Sequence, residues 1–295
     1  MVTAQDVKAL REKTGAGMMD CKKALTEVDG DIEKAIDWLR EKGMAKVGKK
    51  ADRIAAEGLT RVATDGNTGI IFEVNSETDF VAKNELFLGL LDTIKDVLLK
   101  NKPADLEAAL ALDVNGQTLS DVVVEAAAKI GEKVTLRRIA VLEKTDADAF
   151  GSYIHMGGTI SALTILKGST DAAVAKDMAM QIASMSPVYI NMEDVPTAEM
   201  DREKAVQNEI MAQDPAMSKK TQNVLDGIIA GRLSKHFQDQ CLLEQVFFKD
   251  GKLKIAQVLK QANATIDTFI RFQVGEGIEK KEENFAEEVM SQIKK

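Results

Sequence analysis

The sequence predicts an α+β protein made of several small units, and three observations lead to this class. Helical spacing of apolar residues dominates the first 42 residues, whereas strand-like segments begin only near residue 55. The order strand, strand, helix, helix, strand then occurs twice along the chain. At 295 residues the chain also exceeds what one hydrophobic core usually supports, so more than one core is expected.

Three short helical segments occupy the first 42 residues. Thr3 and Asp6 form a capping-box pattern that opens the first, residues 14–17 break it, and Asp31 caps the third. The apolar positions of the three helical faces are Val7, Leu10, Met18, Cys21, Ala24, Leu25, Val28, Ile32, Ala35, Ile36 and Leu39. Residues 44–53 are basic and weakly patterned, which indicates a linker, helical in part. A bundle of this size buries little surface, so we expect it to need close packing or a partner.

A first α+β subdomain follows. Residues 58–63 and 69–74 run apolar or alternate around Asp65, Gly66 and Asn67, which is a strong signal for a β-hairpin. The predicted elements after this hairpin are helices over 79–100 and 118–130, a helical piece at 103–112, and a strand at 134–142.

The same order of elements recurs in the second half of the chain. The predicted elements there are a hairpin at 153–166, helices at 171–184 and 255–261, and a strand at 266–274. Residues 78–83 resemble residues 170–176 with one inserted residue, which supports two related subdomains. The two copies differ at Phe80, which has only alanine opposite it.

Two segments lie outside the repeat. Thr197 caps a polar helix that reaches about residue 213, and a second helix with a narrow apolar stripe follows and ends at Leu233. The two helices form a predicted helical hairpin. Because its apolar stripe is narrow, we expect this hairpin to project from the body or bind a partner. A charged, weakly amphipathic helix with Phe285 and Val289 ends the chain. The predicted organisation is a helical domain and linker (1–52), a first core subdomain (53–145), a second one (146–186 and 234–275), a helical hairpin insertion suited to dimerisation (187–233) and a C-terminal helical module (276–295).

Composition argues against nucleic acid, membranes and metals. The net charge of −8 and an aromatic content of 4% are poorly suited to binding phosphate backbones or stacking bases. The first residues lack the pattern of a signal peptide, and no apolar run approaches the ~20 residues of a membrane span, so we expect a cytoplasmic protein. Cys21, Cys241, His155 and His236 show no ligand spacing, so we expect neither a metal, a cofactor nor a disulfide.

Covalent chemistry has no candidate machinery in the sequence. Gly15, Ala16 and Gly17 lack the Lys and Ser or Thr of a phosphate loop and a preceding strand, so a turn between helices explains them better. Carboxylates such as Asp20 and Asp29 are spread over helix surfaces without a histidine base. We therefore expect a protein that acts by binding and is not an enzyme.

Phe80 is the first candidate contact residue, and two interpretations are open for it. It falls on the first turn of the predicted helix over 79–100, with Ser76 or Thr78 as the cap and Asp79 complementing the helix dipole. In one interpretation Phe80 is one more core aromatic; in the other it is a rigid hydrophobic anchor for a partner.

Met18, Met19 and His155 are the other candidates. Adjacent helical residues cannot both face one core, so we expect one of the two methionines to be exposed, and an exposed methionine suits a contact surface. His155 is either a hydrogen-bonded turn residue or a functional one, and no acid partner is near it in the sequence.

Two long segments resemble the signatures of one family. Residues 10–25, LREKTGAGMMDCKKAL, are similar to the N-terminal signature of the elongation factor Ts family. Residues 73–83, EVNSETDFVAK, are similar to its second signature. The resemblance continues through residues 151–155 to the segment FIRFQVGEG at 269–277, so it covers essentially the whole chain.

This resemblance implies a guanine-nucleotide exchange factor of translation elongation whose partner is elongation factor Tu, GDP-bound or nucleotide-free. It implies a ubiquitin-associated-like N-terminal domain that contacts the G domain of the partner together with the C-terminal module, while the second subdomain contacts the partner's third domain. The residues that it assigns to partner binding are Arg11, Met18, Met19 and His155. The residues that it assigns to displacing the partner's magnesium are Thr78, Asp79, Phe80 and Val81, with Phe80 as a wedge.

Alternatives from other classes stay open at this point. An adaptor or chaperone-like protein could tether a partner through the helical domain and hairpin without exchange. An enzyme and a ribosomal RNA binder are less favoured, the latter because the chain is acidic. A homodimer and a 2:2 complex with the partner are both compatible with the resemblance.

Overall fold

The computed structural model describes residues 2–14, 16–48, 50, 52–214, 216–217 and 220–279, with backbone only for 44–48. In these residues an N-terminal region of three helices is followed by antiparallel sheets and further helices, so the predicted α+β class is confirmed. The chain forms turns over 274–277, and the predicted C-terminal helix lies, from residue 280 onward, outside the described residues.

The N-terminal region consists of α1 (Ala4–Thr14), α2 (Met18–Glu27) and α3 (Ile32–Gly48). The predicted capping box is present, because the Thr3 N–H donates to Asp6 Oδ2 at 2.9 Å and the Asp6 N–H donates to Thr3 Oγ1 at 3.2 Å. The buried residues between the helices are Val7, Leu10, Cys21, Ala24, Leu25 and Ala35, all on predicted apolar faces. The third helix extends to Gly48, so the first half of the predicted linker is helical.

The first sheet unit contains, in chain order, β1 (Glu57–Asp65), β2 (Thr68–Ser76), α4 (Glu85–Asn101), α5 (Leu106–Leu110), β3 (Asp113–Val114), β4 (Gln117–Thr118), α6 (Leu119–Ile130) and β5 (Val134–Glu143). Its main sheet has the order β1-β2-β5, with antiparallel pairs. The hairpin turn falls at Gly66 and Asn67, as predicted. The small hairpin of β3 and β4 has no counterpart in the sequence prediction.

The second unit contains β6 (Ala149–His155), β7 (Ile160–Lys167), α7 (Ala172–Met185), α8 (Thr197–Ala212), α9 (Gln222–Gln238), α10 (Ile255–Gln261) and β8 (Thr265–Gln273). Its sheet has the order β6-β7-β8 and repeats the antiparallel arrangement of the first. The helical hairpin of α8 and α9 interrupts this unit, and α9 passes residue 233 because Phe237 is buried with Val195 and Cys241 at the hairpin base.

The two sheets pack face to face, with helices on their outer faces. Every residue of β2 is buried. On one face of β2, Phe72 packs with Phe87 of α4; on the other, Ile71 packs with Leu163 and Phe272 of the second sheet. The first sheet therefore forms a central layer between its own helices and the second sheet, and both of these layers hold the loops at its ends.

The three-helix bundle is attached through α3, which runs alongside α6 in the same direction. Arg40 Nε lies 3.4 Å from Glu125 Oε1, and a Cβ on Gly43 would stand 3.1 Å from the Cβ of Ala128. At 1.5 Å per residue the start of α3, near Ile32, lies about 12 Å before Arg40. The part of α3 that packs in the bundle, from Ile32 to Leu39, precedes Arg40, so the bundle lies toward the N-terminal end of α6.

Candidate partner-binding surface

The segment that carries Phe80 is a short loop between β2 and a 3-10 helix at Val81–Lys83. Glu132, just after α6, holds the start of this loop with both carboxylate oxygens. The Thr78 N–H donates to Oε2 at 3.0 Å, and the Thr78 hydroxyl donates to Oε1 at 2.7 Å. The Ser76 hydroxyl donates to the carbonyl oxygen of Thr78 at 2.9 Å, so the loop is fixed immediately before Asp79 and Phe80.

The loop is fixed on its other side as well. Val81 is buried in the core beneath α4. The Lys83 N–H donates to the Phe80 carbonyl at 3.2 Å, and Asn84 caps α4 by accepting the Leu86 N–H at 2.8 Å. Between these anchors the side chain of Phe80 is 81% exposed. An aromatic ring that is held by an ordered backbone and contributes little to the core is typical of a contact residue.

These observations correct two predictions about the loop. Helix α4 begins at Glu85, so Phe80 lies in the turn that precedes it and not on its first turn. Neither Ser76 nor Thr78 caps the helix, because both hydroxyls are used within the loop clamp and Asn84 is the cap. The interpretation of Phe80 as a core aromatic is also wrong.

Glu77 adds an electrostatic connection at the base of the loop. Its Oε1 accepts the Lys133 N–H at 2.6 Å, and its Oε2 lies 3.1 Å from Arg53 Nη1. Desolvation raises the pKa of Glu77, but the hydrogen bond from Lys133 and the ion pair with Arg53 outweigh it, so the net pKa lies below the ordinary value of 4.5. The carboxylate is therefore ionised at neutral pH and joins the loop to the turn after α6.

His155 lies at the tip of the hairpin formed by β6 and β7. It is half-buried, and its Nδ1 lies 3.4 Å from Tyr153 Oη in a hydrogen bond whose direction depends on the tautomer. The hairpin tip is attached to β1, because Thr60 Oγ1 donates to the carbonyl oxygen of Gly158 at 2.8 Å. The histidine thus has a hydrogen-bonding partner and stands on an anchored turn.

The structure brings the Phe80 loop and the His155 tip to the same part of β1. Leu59 of β1 packs in the same core cluster as Val81. Its Cδ2 would lie 3.2 Å from a Cβ on Gly158. Strand β1 contacts both the 3-10 helix that follows Phe80 and the hairpin tip, so both loops border this strand and one partner can contact them together.

Arg11, Met18 and Met19 lie on the three-helix bundle, Arg11 on α1 and the two methionines at the start of α2. Both methionines are exposed, Met18 to 57% and Met19 to 76%, although the apolar spacing placed Met18 on the buried face of α2; Cys21 and Ala24 fill the core instead. Arg11 is exposed on α1. These residues belong to the three-helix bundle, whereas the Phe80 loop belongs to the first sheet unit and is held at the C-terminal end of α6. The protein therefore presents two distinct candidate surfaces.

Sequence reasoning missed a buried ion-pair cluster around Glu73, whose side chain is fully buried in β2. A register shift in the pairing of β2 with β5 places Arg137 and Arg138 together opposite this residue. Arg137 Nη1 lies 3.2 Å from Glu73 Oε1, Arg138 Nε donates to Oε2, and the Gly275 N–H donates to Oε1 at 2.8 Å. The cluster attaches the turn at 274–277 to the first sheet. A glutamate within an apolar strand, together with two consecutive arginines in another, was the available sequence signal.

The described residues contain no helix long and apolar enough to cross a membrane. Among the same residues, no group of three or more His, Cys, Asp or Glu side chains has the arrangement of a metal site. Cys21 and Cys241 are both buried and free. The candidate functional residues are thus surface side chains on anchored loops and helices.

This arrangement defines a class of protein with an α+β core, an N-terminal helical region and exposed candidate contact residues. Two family models match the chain. The model described as "Elongation factor TS" matches residues 77–276, and the model described as "Elongation factor Ts, mitochondrial, N-terminal" matches residues 2–47. The chain belongs to the elongation factor Ts family. Members of this family act as nucleotide exchange factors in translation elongation, bind elongation factor Tu and do not catalyse covalent chemistry.

Proposed function

We propose that this chain binds elongation factor Tu in its GDP-bound and nucleotide-free forms and promotes GDP release by disturbing the partner's magnesium and phosphate site. The observation that carries the proposal is the Phe80 ring, 81% exposed between two anchored flanks. The matched family supports a role in nucleotide exchange, and the Phe80 loop lies within the matched residues 77–276.

The loop geometry suits a wedge. A side chain can displace groups of a partner only if its own backbone does not yield, and here the Glu132 clamp on Thr78 and the burial of Val81 resist such movement. Asp79, exposed beside Phe80, adds a carboxylate at the same point. Because magnesium neutralises nucleotide phosphates, disturbing its site weakens GDP binding.

Docking energy in this proposal comes from the three-helix bundle and from the His155 tip. Arg11, Met18 and Met19 contact the G domain of elongation factor Tu, while His155 contacts the third domain. Methionines adapt to irregular partner surfaces, and two separated attachment points orient the Phe80 loop between them. We retain the domain boundaries predicted from the sequence, a ubiquitin-associated-like character for residues 1–52 and a cytoplasmic location as parts of this proposal.

The test is GDP release from elongation factor Tu at several magnesium concentrations, followed with a fluorescent GDP analogue. We expect the chain to accelerate release, and excess magnesium to oppose it. The competing function, an adaptor that tethers elongation factor Tu, leaves the GDP off-rate unchanged although the two proteins bind. An unchanged off-rate at every magnesium concentration would therefore refute exchange and support the adaptor.

A further inference from the structure

Met156, at the tip of the β6–β7 hairpin, has an unusual backbone conformation for its side chain. Six residues other than glycine have positive φ in the described part of the chain, namely Asp29, Lys102, Asn115, Met156, Ser186 and Asn263. Met156, with φ of 47°, is the apolar one, and its side chain is 71% exposed. The left-handed region is unfavourable for a residue with a Cβ, and Asn and Asp tolerate it best.

The anchoring of the tip explains the backbone conformation. Arg61 Nη1 lies 3.4 Å from the Gly157 carbonyl oxygen, and Thr159 Oγ1 donates to the Met156 carbonyl at 3.1 Å. Gly158, with φ of 114°, approaches β1 so closely that a Cβ there would stand 2.4 Å from Arg61 Nη1. These contacts fix the turn through backbone atoms, so glycine at position 156 would satisfy them without strain.

The methionine side chain therefore makes the backbone conformation at position 156 less stable in the isolated protein, and because the side chain is exposed, little burial compensates for this loss of stability. Strained backbone conformations persist where function requires a particular side chain at that place. The neighbours favour a contact surface: Ile154 is also exposed, His155 lies between the two, and β1 contacts both this tip and the 3-10 helix that follows Phe80.

We propose that Met156 is an apolar contact that this chain makes with elongation factor Tu, beside His155 on the tip of the β6–β7 hairpin. The inference rests on the proposed function for the identity of the partner. It assigns the contact to an apolar patch on the third domain of elongation factor Tu, because Met156 directly follows His155, which the proposed function places on that domain. Flexible, polarizable methionine suits such a patch.

The experiment compares Met156→Gly, Met156→Asn and Met156→Leu with the wild-type chain, by thermal melting and by titration with nucleotide-free elongation factor Tu. Glycine relieves the strain and removes the side chain, so we expect an equal or higher Tm and an affinity about tenfold lower. Asparagine tolerates the backbone but is polar and should lose affinity similarly, while leucine should retain most of it.

Ser186→Gly is the matched control. Ser186 is exposed, has φ of 50° and ends α7, so glycine there relieves the same kind of strain away from β1, and we expect unchanged affinity. Wild-type affinity in both Met156→Gly and Met156→Asn overturns the inference, and the proposed function stands if the wild-type chain still accelerates GDP release. If the wild-type chain binds without accelerating release, the exchange function fails, while a loss of affinity in Met156→Gly still supports the contact.

Discussion

Replacing Phe80 with alanine separates the exchange mechanism from folding. The ring is 81% exposed, whereas Val81 beside it is buried and Thr78 remains clamped by Glu132. Exposed positions away from special features change the free energy of unfolding by no more than about 0.5 kcal/mol, so we expect the same Tm within a few degrees.

The expected effect of Phe80→Ala on the rate of GDP release follows from the apolar surface of the ring that contact with the partner can bury. Fully burying a phenylalanine side chain contributes about 1.5–3 kcal/mol. If that energy appears only when GDP is being displaced, Phe80→Ala slows stimulated GDP release by roughly 10- to 150-fold. Binding to nucleotide-free elongation factor Tu should fall less, because part of the wedge energy opposes GDP and does not contribute to docking.

Stopped-flow release of a fluorescent GDP analogue measures the first quantity, and titration of nucleotide-free elongation factor Tu measures the second. Asp79→Ala, tested in parallel, should reduce exchange and alter its dependence on magnesium. Phe248→Ala is the matched control, because this phenylalanine is exposed in the second sheet unit and should leave exchange unchanged. Stimulation by Phe80→Ala equal to that of the wild type would show that the ring is not a wedge.

Three further perturbations test the supports of this surface. Glu132→Ala removes both acceptors of the Thr78 clamp and should reduce exchange several-fold, measured as above, with a smaller change in nucleotide-free binding. Glu73→Gln leaves the arginines Arg137 and Arg138 without their buried carboxylate and should lower the free energy of unfolding in urea by about 3–5 kcal/mol; a loss under 1 kcal/mol contradicts the buried cluster. Because the folded-state pKa of Glu77 is lowered, its carboxylate contributes its full stability above pH 4.5 and loses it as the pH falls through the folded-state pKa. The Tm difference between the wild type and Glu77→Gln should therefore shrink below pH 4.5. A difference that stays constant with pH refutes this.

Local signals explain the parts of the fold that the sequence predicted correctly. The capping pattern at Thr3 and the turn at Gly66 each involve neighbours within a few residues, and Asp171 caps α7 as expected for the start of a predicted helix. Apolar spacing identified the buried residues of α1 and α2, but it also placed the exposed Met18 on the apolar face. Such features need no knowledge of the tertiary structure.

The loop of Phe80 could not be predicted in this way, since the residue that shapes it is distant. Glu132 is 54 positions from Thr78, and only the fold brings them together. The sequence predicted Ser76 or Thr78 as the helix cap. In the structure the Ser76 hydroxyl donates to the Thr78 carbonyl oxygen and the Thr78 hydroxyl donates to Glu132, so neither hydroxyl caps the helix. The copies therefore differ more than the match of 78–83 with 170–176 indicates: the first copy forms a turn where the second forms helix α7.

Long-range geometry also explains the missed cluster at Glu73. A buried carboxylate is costly unless it is paired, so its partners had to exist, but two consecutive arginines of a regular strand point to opposite faces. The register shift opposite Glu73 removes this restriction and lets both arginines reach one carboxylate. Such irregularities have no clear signal in a single sequence.

The most direct test of exchange is the thermodynamic cycle of elongation factor Tu with GDP and with this chain. If the chain lowers the affinity for GDP, then GDP lowers the affinity for the chain by the same factor. A hundredfold effect corresponds to about 2.7 kcal/mol. Calorimetric titration of the chain into elongation factor Tu, with and without saturating GDP, measures this factor. We predict a large decrease in affinity with GDP, reduced for Phe80→Ala; equal affinities in the two titrations of the wild-type chain would contradict exchange and leave a protein that only tethers its partner.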